Sequence, residues 1–389
     1  MTSPAPSTET EPDARPRSLR VALFTTIVSR GAFGAAFAGM SWALRTQGVL
    51  NVDVLYYKGD LEVARTLFPE SVQFVKLSGG RGLWAVADLR RYLDRARPDF
   101  LISAPVFVNL LAIVTSLVSR WRWSGGRLII THHHPIELAH RNNKKDNKWL
   151  AKALYRFASG SFGVSPGAVD DACRETYLDP ARVPCIPNIL GPRELSEHGS
   201  SHPWLDHKRG FVFVSVSRLV KLKNIDLLIR SFCEVSRQRD AQLLICGEGP
   251  EREHLQGLID AVGANGRIAL CGYVPNVRLF MKKADAFVLA SNEEGFGQVF
   301  TEAMSMGCPI IATRSLGGGA EYVLEGGRCG LLVPCEDPQA LAEAMLRMME
   351  DGVRKEYSAR ARERARAFTP EQVGRDLLAF LASCGGPGA

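Results

Sequence analysis

Length, composition and charge place this chain among ordinary globular proteins. It has 389 residues, of which 46% are hydrophobic and 23% charged, and it contains 36 Gly and 21 Pro. These proportions exclude a collagen-like, coiled-coil or mostly disordered chain, and the length fits two domains of roughly 150–200 residues, each with its own core. The net charge of +7 favours anionic partners such as phosphates, nucleotides, acidic lipids or nucleic acid.

The start of the chain and its cysteines are typical of a cytoplasmic protein. Residues 1–18 are rich in Pro, Ser, Thr and Glu and have no apolar stretch, which predicts a disordered lead rather than a signal peptide. No run reaches the ~18–20 apolar residues that span a bilayer. The nine Cys residues form no C-x-x-C pair, so we expect buried, reduced thiols rather than a disulfide or zinc framework.

Strand and helix patterns alternate through the first half of the chain. The apolar, β-branched runs that predict strands are Arg20–Val28, Val52–Tyr57, Phe100–Ala104, Arg127–Thr131, Ser161–Ser165 and Val183–Asn188. This alternation is typical of a parallel sheet with helices on both faces. After the first strand, Gly31-Ala-Phe-Gly34 forms a G-x-x-G turn that can bring backbone N–H groups and a helix N-terminus to a phosphate.

Two segments of this half have features of helices at a membrane surface. Val106–Val118 is apolar and is followed by Arg120-Trp121-Arg122-Trp123; it predicts either a buried helix or a helix in a membrane interface, where Trp and Arg are favoured. Residues 140–156 carry six Lys or Arg against one Asp. They predict a basic amphipathic helix that lies on an anionic membrane or packs as an ordinary surface helix.

The strand pattern restarts after a polar linker over residues 191–209. The strands predicted beyond it are Phe211–Ser217, Ala241–Cys246, Arg267–Gly272, Ala286–Ala290, Cys308–Thr313 and Gly330–Pro334, with helical patterns such as Asn224–Glu234 and Asp337–Glu350 between them. The chain is therefore predicted to be an α/β protein of two Rossmann-like halves. Because open parallel sheets bind ligands at the carboxyl ends of their strands, we expect the site in the cleft between the halves.

Arg218 and Lys223 follow the first strand of the second half. They lie five residues apart on a strand-to-helix loop, where a planar guanidinium and a point charge suit a diphosphate. A solvated loop with incidental charges is the alternative. The next strand is followed by Gly247-Glu-Gly249, but Arg252 replaces the third Gly of a dinucleotide fingerprint, so nicotinamide binding is disfavoured and a tight turn is the simpler interpretation of Gly247.

Two glutamates follow a later strand of this half. Glu294 is expected on the loop that leaves the strand, where Gly295 and Gly297 let the backbone approach a ligand. Glu302 is expected in the first turn of the next helix, facing the cleft, where a negative charge is favourable. Both carboxylates can accept hydrogen bonds from sugar or ribose hydroxyls, and a helix-capping role is the alternative for Glu302.

Together with Gly272-Tyr273-Val274, these residues in this order resemble glycosyltransferase family 4 over residues 19–380. Members of this family are retaining transferases with the GT-B fold, in which two Rossmann-like domains with parallel sheets face a central cleft. For this chain the resemblance implies the following segments: a disordered lead over 1–18, an acceptor-binding domain over 19–190, a linker over 191–209, a nucleotide-sugar donor domain over 210–366, and a C-terminal helix returning to the N-terminal domain, with a tail, over 367–389.

The resemblance also implies a role for each matching residue. Arg218 and Lys223 would hold the donor's diphosphate, Glu302 would bind the ribose, and Glu294 would lie beside the transferred sugar. The remaining implied donor-binding positions are Gly31, Gly34, Gly247, Gly272, Tyr273, Val274, Gly295, Phe296 and Gly297. The family's cleft histidine falls in Thr131-His132-His133-His134-Pro135, and the usual spacing assigns it to His133, with the register open by one residue.

The charges of these residues suggest how the reaction proceeds. Breaking a sugar–diphosphate bond builds negative charge on the leaving phosphate, which Arg218, Lys223 and a helix N-terminus can neutralise. The chain has no D-x-D triplet for manganese, and three consecutive His at a strand end point in different directions, which disfavours a metal cluster. We therefore expect neither a metal nor a cofactor, only a nucleotide-sugar co-substrate. The resemblance favours a UDP-sugar, with GDP and ADP as the alternative nucleotides.

The predicted function is retaining transfer of a hexose to a hydroxyl acceptor. A sugar-nucleotide epimerase or hydrolase and a non-catalytic sugar-nucleotide binder are the alternatives. The basic stretch and Ile186-Pro187-Asn188 resemble family members that glycosylate lipid carriers, and a soluble natural product is the rival acceptor. Aromatic residues are not interleaved with basic ones, so nucleic acid is not expected as a partner. The expected location is the cytoplasm, with peripheral contact to an anionic membrane as an option.

Overall fold

Two six-stranded sheets organise the chain, and every paired strand runs parallel to its neighbour. The computed structural model describes residues 18–28, 32–78, 83–133, 148–191 and 201–385. Each sheet is covered on both faces by helices, which gives two Rossmann-like α/β domains. The predicted fold class is confirmed.

The N-terminal sheet has the strand order β5-β3-β1-β6-β7-β8, with β2 and β4 paired separately. The strands are β1 Arg20–Phe24, β2 Ile27–Val28, β3 Asn51–Tyr56, β4 Lys58–Gly59, β5 Gln73–Lys76, β6 Phe100–Ser103, β7 Arg127–His132 and β8 Gly160–Gly163. The helices of this domain are α1 Ala32–Thr46, α2 Leu61–Arg65, α3 Leu83–Ala96, α4 Val106–Val118, α5 Arg120–Trp123, α6 Lys148–Leu154 and α7 Pro166–Glu175.

The C-terminal sheet repeats the arrangement with the strand order β11-β10-β9-β12-β13-β14. The strands are β9 Phe211–Val216, β10 Ala241–Cys246, β11 Ile268–Gly272, β12 Ala286–Leu289, β13 Ile310–Thr313 and β14 Leu331–Val333. The helices are α8 Pro203–Asp206, α9 Ile225–Gln238, α10 Arg252–Ala261, α11 Val277–Lys283, α12 Gln298–Ser305, α13 Gly319–Val323, α14 Pro338–Met348, α15 Asp351–Ala365 and α16 Pro370–Ser383.

Alternating side chains divide the core of the N-terminal domain between the two faces of its sheet. Val21 and Leu23 of β1 pack on one face, in a cluster with α1 and α16. Ala22 and Phe24 pack on the other face, in a cluster with α3, α4 and α6. A strand that is apolar on both faces is expected where helices cover the sheet on both sides.

The last helix of the chain lies against the N-terminal domain. Val373, Leu377 and Leu381 of α16 are buried in the same cluster as α1. A Cβ added at Gly374 would lie 2.7 Å from the carbonyl oxygen of Ala43 in α1, so the two helices approach closely. The chain therefore crosses between the domains twice, once after β8 and once before α16.

The structure differs from the sequence interpretation at three places. Val183–Asn188 is not a strand; only Cys185 bridges to Gly163, because Pro184 and Pro187 have no N–H to donate to a ladder. Strand β5, which the sequence analysis missed, is a short edge strand. The linker predicted to end at residue 209 is shorter at that end, because Leu205 of α8 is buried in the C-terminal core.

Candidate functional site

A cation and a carboxylate meet where β9 and β12 end side by side in the C-terminal sheet. Lys223 ends a single 3-10 turn after β9, and Glu294 lies on the loop after β12. Lys223 Nζ donates to Glu294 Oε1, and the Ser291 hydroxyl donates to the same oxygen at 3.2 Å. The two charged side chains are only 14% and 11% exposed, so their attraction is weakly screened by water.

Further hydrogen bonds tie the two loops together. Asn224 adopts a left-handed backbone conformation (φ 46°) directly after Lys223, and its side-chain amide donates to Asn292 Oδ1 at 3.1 Å. The Asn292 backbone N–H donates to the carbonyl oxygen of Leu222 at 3.0 Å. Asn tolerates the left-handed region better than most residues. Lys223 is therefore held over the Glu294 loop by bonds on both sides of it.

A glycine-rich turn after β13 fixes the backbone of Glu294. The Glu294 N–H donates to Leu316 O at 2.9 Å, and the Gly319 N–H donates to Glu294 O at 3.0 Å. Gly317 and Gly318 have φ values of 95° and 67°, which favour glycine. The loops that follow three neighbouring strands, β9, β12 and β13, thus all form hydrogen bonds with Glu294.

The segment after Glu294 leads into α12. Gly295, Phe296 and Gly297 are buried, and the Phe296 ring packs against Phe368 at a centroid distance of 5.6 Å. The expectation for Glu302 is corrected: α12 begins at Gln298 and has no acidic residue in its first turn, so Glu302 lies one turn further along. Its side chain is half-buried.

The other predicted residues of this half lie on neighbouring strand ends. Arg218 is exposed on the loop between β9 and Lys223. Gly272 (φ 70°) ends β11, followed by exposed Tyr273 and half-buried Val274. The Gly247 N–H, which follows β10, donates to Gly272 O at 2.7 Å. Since β11, β10, β9 and β12 are consecutive in the sheet, all these residues lie at the carboxyl ends of neighbouring strands.

The glycines after β10 have a packing role. A Cβ at Gly247 (φ 146°) would lie 1.8 Å from Ser217 O, and one at Gly249 would lie 2.2 Å from Leu219 O. The Leu219 N–H donates to Glu248 O at 3.0 Å. Glycine is therefore required for the close approach of this turn to the loop that carries Arg218. This packing agrees with the tight turn expected at Gly247.

The histidines of the N-terminal domain have different surroundings. His133 follows β7, its Nε2 is 3.1 Å from Thr131 Oγ1, and its ring packs against Phe33 of α1 at 5.4 Å. Gly34 is buried in the first turn of the same helix. His133 thus lies beside the start of α1. Gly31 and His134 lie outside the described residues.

His132 is enclosed by the sheet and the helix layer. Its Nε2 is 2.8 Å from Ser161 Oγ, and its ring lies 5.6 Å from that of Tyr155. Burial lowers the pKa of His132 to about 4, because the charged form loses hydration. The imidazole is therefore neutral at physiological pH and belongs to the core.

The sequence analysis missed one contact that joins the two domains at the Glu294 loop. The Ser165 hydroxyl, at the start of α7, donates to the carbonyl oxygen of Gly295 at 2.6 Å, and both residues are buried. The Ser-Pro pair before a helical pattern is a recognisable helix start. Nothing in the sequence indicates the second partner, which comes from the other domain.

Cysteines and metal-binding side chains add no further site. All nine Cys are free thiols; Cys246, Cys308 and Cys329 are buried and the other six are partly exposed. Within the described ranges, no three His, Cys, Asp or Glu side chains are grouped so that they could hold a metal ion. The helices of the described segments are all too short or too polar to cross a bilayer.

Comparisons with known proteins match both halves of the chain. The family model described as Glycosyltransferase Family 4 matches residues 37–190, and the one described as Glycosyl transferases group 1 matches residues 202–368. The crystal structure of Anabaena Alr3699/HepE in complex with UDP superposes with a TM-score of 0.76 at 19% identity, covering 94% of this chain and 100% of that one. The structural match supports the fold.

Two curated relatives are bacterial glycosyltransferases. The N-acetylgalactosamine-N,N'-diacetylbacillosaminyl-diphospho-undecaprenol 4-alpha-N-acetylgalactosaminyltransferase of Campylobacter jejuni is 29% identical over 280 residues, covering 71% of this chain and 75% of the relative. The lipopolysaccharide core biosynthesis glycosyltransferase LpsD of Rhizobium meliloti is 35% identical over 172 residues. That alignment covers 44% of this chain and 49% of LpsD, less than half of either protein.

The buried, neutral state of His132 predicts how stability depends on pH. The unfolded chain gains a proton on His132 as the pH falls below about 6.5, whereas the folded chain does not until about 4. The free energy of unfolding should therefore fall between these pH values, by on the order of 3 kcal/mol from this residue. Urea unfolding at several pH values should show this slope flattened in His132→Gln. The exposed His207→Gln variant is the control, and an unchanged slope in His132→Gln would contradict the assignment.

Proposed function

We propose that this chain, which belongs to the glycosyltransferase family 4 group of GT-B proteins, transfers a hexose from a UDP-sugar to a hydroxyl acceptor with retention of configuration. The observation that carries the proposal is the shielded Lys223–Glu294 pair at the carboxyl edge of the C-terminal sheet. It offers a cation for a phosphate and a carboxylate for a sugar hydroxyl within one contact. Arg218, on the same loop as Lys223, adds a second cation.

The donor is assigned to the C-terminal edge. In this proposal Arg218 and Lys223 bind the diphosphate, Glu302 binds the ribose, and Glu294 binds the transferred sugar. The backbone groups proposed to contact the donor belong to Gly31, Gly34, Gly247, Gly272, Tyr273, Val274, Gly295, Phe296 and Gly297. The exposed Tyr273 at the end of β11 suits a nucleobase, because an aromatic ring offers a flat apolar face.

The proposed chemistry relies on fixed positive charge. As the sugar–phosphate bond breaks, Arg218 and Lys223 stabilise the charge on the leaving phosphate, and the shielded position of Lys223 strengthens its contribution. The acceptor hydroxyl attacks from the face that the nucleotide leaves, and a leaving phosphate oxygen takes its proton. His133 orients the sugar or stabilises positive charge through its backbone carbonyl. Because two cations already serve the phosphate, we propose that no metal is required.

Two of the relatives support a lipid-linked acceptor. The Campylobacter relative is named for a diphospho-undecaprenol substrate, and LpsD for the lipopolysaccharide core. The Anabaena structure is a complex with UDP, which supports a uridine nucleotide as part of the donor. We therefore propose an acceptor that carries a hydroxyl on a lipid-linked saccharide.

Replacement of Lys223 tests the phosphate assignment. We expect Lys223→Ala to lower the rate of transfer by roughly 100- to 1,000-fold, the usual loss on removal of one group that stabilises a developing anion. The measurement is product formation by mass spectrometry across a panel of nucleotide sugars, with and without EDTA. Lys221→Ala, an exposed lysine on the same turn, is the matched control. A Lys223→Ala protein with near-normal transfer would overturn the scheme, and loss of activity in EDTA would overturn metal independence.

The same panel separates the alternatives. A transferase releases UDP faster when the acceptor is present and yields the glycosylated acceptor. A hydrolase releases UDP with water alone, an epimerase changes the sugar without releasing UDP, and a binding protein does neither. Retention is read from the anomeric configuration of the product by NMR.

We also propose that the protein contacts the surface of an anionic membrane through α4. This helix has no charged residue, and it buries Asn109, Thr115 and Ser116 while exposing Phe107 and Leu117. Val114 and Val118 extend the exposed apolar face, so this helix is apolar on its exposed side as well as in the core, unlike a usual surface helix. Trp123, 85% exposed, and the exposed Trp149 and Leu150 of the adjacent α6 enlarge the surface.

Basic residues flank this apolar face. Arg120 follows α4, and Arg90 and Arg91 are exposed on α3, which packs beside α4. Apolar side chains bordered by Arg and Trp suit the headgroup region of an anionic membrane. The basic segment predicted over 140–156 begins outside the described residues, which resume at residue 148.

Vesicle flotation tests the membrane contact. The wild type should float with phosphatidylglycerol-containing vesicles and less with pure phosphatidylcholine, because Arg and Lys attract acidic headgroups. The double variant Val114→Asp, Leu117→Asp should remain at the bottom, since two carboxylates would enter the interface. Val262→Asp, at an exposed apolar position of the C-terminal domain, is the control. Equal flotation of the double variant and the wild type would rule out α4 as the contact.

A further inference from the structure

The two domains touch directly at the loop that carries Glu294. Ser165 lies at the end of the β8 segment of the N-terminal domain, and its hydroxyl donates to Gly295 O at 2.6 Å. Ser165 Oγ also accepts a hydrogen bond from the Ala168 N–H at 3.2 Å and so caps α7. Ser165 has no exposed surface. One hydroxyl therefore both starts a helix in one domain and satisfies a backbone carbonyl in the other.

Ser165 also lies next to the strand that carries the histidines. The N–H of Val164, its neighbour in sequence, donates to the carbonyl oxygen of His132 at 3.0 Å. This bond continues the pairing of β7 with β8 up to the domain boundary. The contact thus links the end of β7, where His133 lies, to the Glu294 loop.

A glycine two residues after Ser165 extends the contact. A Cβ at Gly167 would lie 2.3 Å from Gly317 O, and the three atoms nearest to it all belong to Gly317 and Gly318 of the C-terminal domain. The turn that contains Gly317 also holds Glu294, through Leu316 O and the Gly319 N–H. Contact of the domains at this turn therefore excludes a side chain at Gly167.

We propose that Ser165 and Gly167 form a latch that closes the cleft and positions the Glu294 loop for transfer. Ser165 is a positioning residue. Its bond holds the C=O of Gly295, and because the peptide group is planar and trans, the direction of the Phe296 N–H is set as well. When the domains separate, Gly295 O loses its protein donor, so the closed state gains the bond that the open state lacks. The inference rests on the proposed transferase function, in which this loop contacts the transferred sugar.

Ser165→Ala tests the hydrogen bond. Loss of one buried bond should lower kcat by about tenfold and change the KM for the donor by less than about threefold, since the closed complex is less populated while the diphosphate contacts remain. Asp337→Ala is the matched control, because Asp337 caps α14 through the Ala340 N–H at 2.9 Å and lies outside the proposed site. The latch is contradicted if Ser165→Ala and Asp337→Ala have the same kcat.

Gly167→Ala tests closure by steric means and has a readout besides activity. We expect its radius of gyration by small-angle X-ray scattering, with saturating UDP, to exceed that of the wild type, and its kcat to fall by at least about tenfold. Gly257→Ala is the control, because nothing lies within 4 Å of a Cβ at that helical position. Identical scattering and kcat in Gly167→Ala and Gly257→Ala would overturn the latch.

The scattering result also separates the two proposals. If the wild type transferred no sugar from any donor, the proposed function would fail, but an expanded Gly167→Ala protein would still support the latch. If Lys223→Ala abolished transfer while both latch variants behaved like their controls, the function would stand and the latch would fall.

Discussion

The ion pair between Lys223 and Glu294 is the interaction on which the site depends. Both side chains are largely shielded from water, and removing charges from water is costly unless they are paired. Each charge therefore keeps the other in place, and three hydrogen-bonded loops hold the pair at the sheet edge. A ligand that binds Lys223 through a phosphate must also give Glu294 a new partner. In the proposed function, a sugar attached to a diphosphate supplies both groups, which would favour the intact donor over a free phosphate.

The parallel sheet explains why these groups meet. The strands β11, β10, β9 and β12 end at one edge, so residues distant in the chain become neighbours without a dedicated scaffold. Glycine then sets how closely the loops approach, as at Gly247, where any Cβ would meet the carbonyl oxygen of Ser217. The same residue type that suggests phosphate binding in the sequence thus has a packing role that is independent of any ligand. Close approach of the loops in turn places Lys223 against the Glu294 carboxylate.

Patterns within one segment were predictable, and contacts between segments were not. The six strands predicted for the C-terminal half are all present, because buried parallel strands are apolar runs bounded by turns. Val183–Asn188 is also bounded by turns and partly apolar but is not a strand, since its two prolines cannot donate hydrogen bonds. The start of α12 was misplaced because Gly297, with a φ of 77°, begins the helix earlier than the apolar pattern suggests. Ser165 was missed because its hydroxyl acts on a carbonyl 130 residues away in the other domain.

Ser165 links the two domains, whose relative motion is limited by the way the chain joins them. The domains are joined by chain crossings near residue 190 and residue 368, where the Leu190 N–H donates to Phe368 O at 2.8 Å. Two crossings bonded to each other form a hinge, and a hinge leaves rotation as the main relative motion. The contacts of Ser165 with Gly295 and of Gly167 with Gly317 lie on the Glu294 loop and the turn beside it, next to that hinge, since Phe296 packs against Phe368. In the proposed latch, closure and alignment of the loop are one event, because the loop assigned to the sugar is also a surface on which the domains meet.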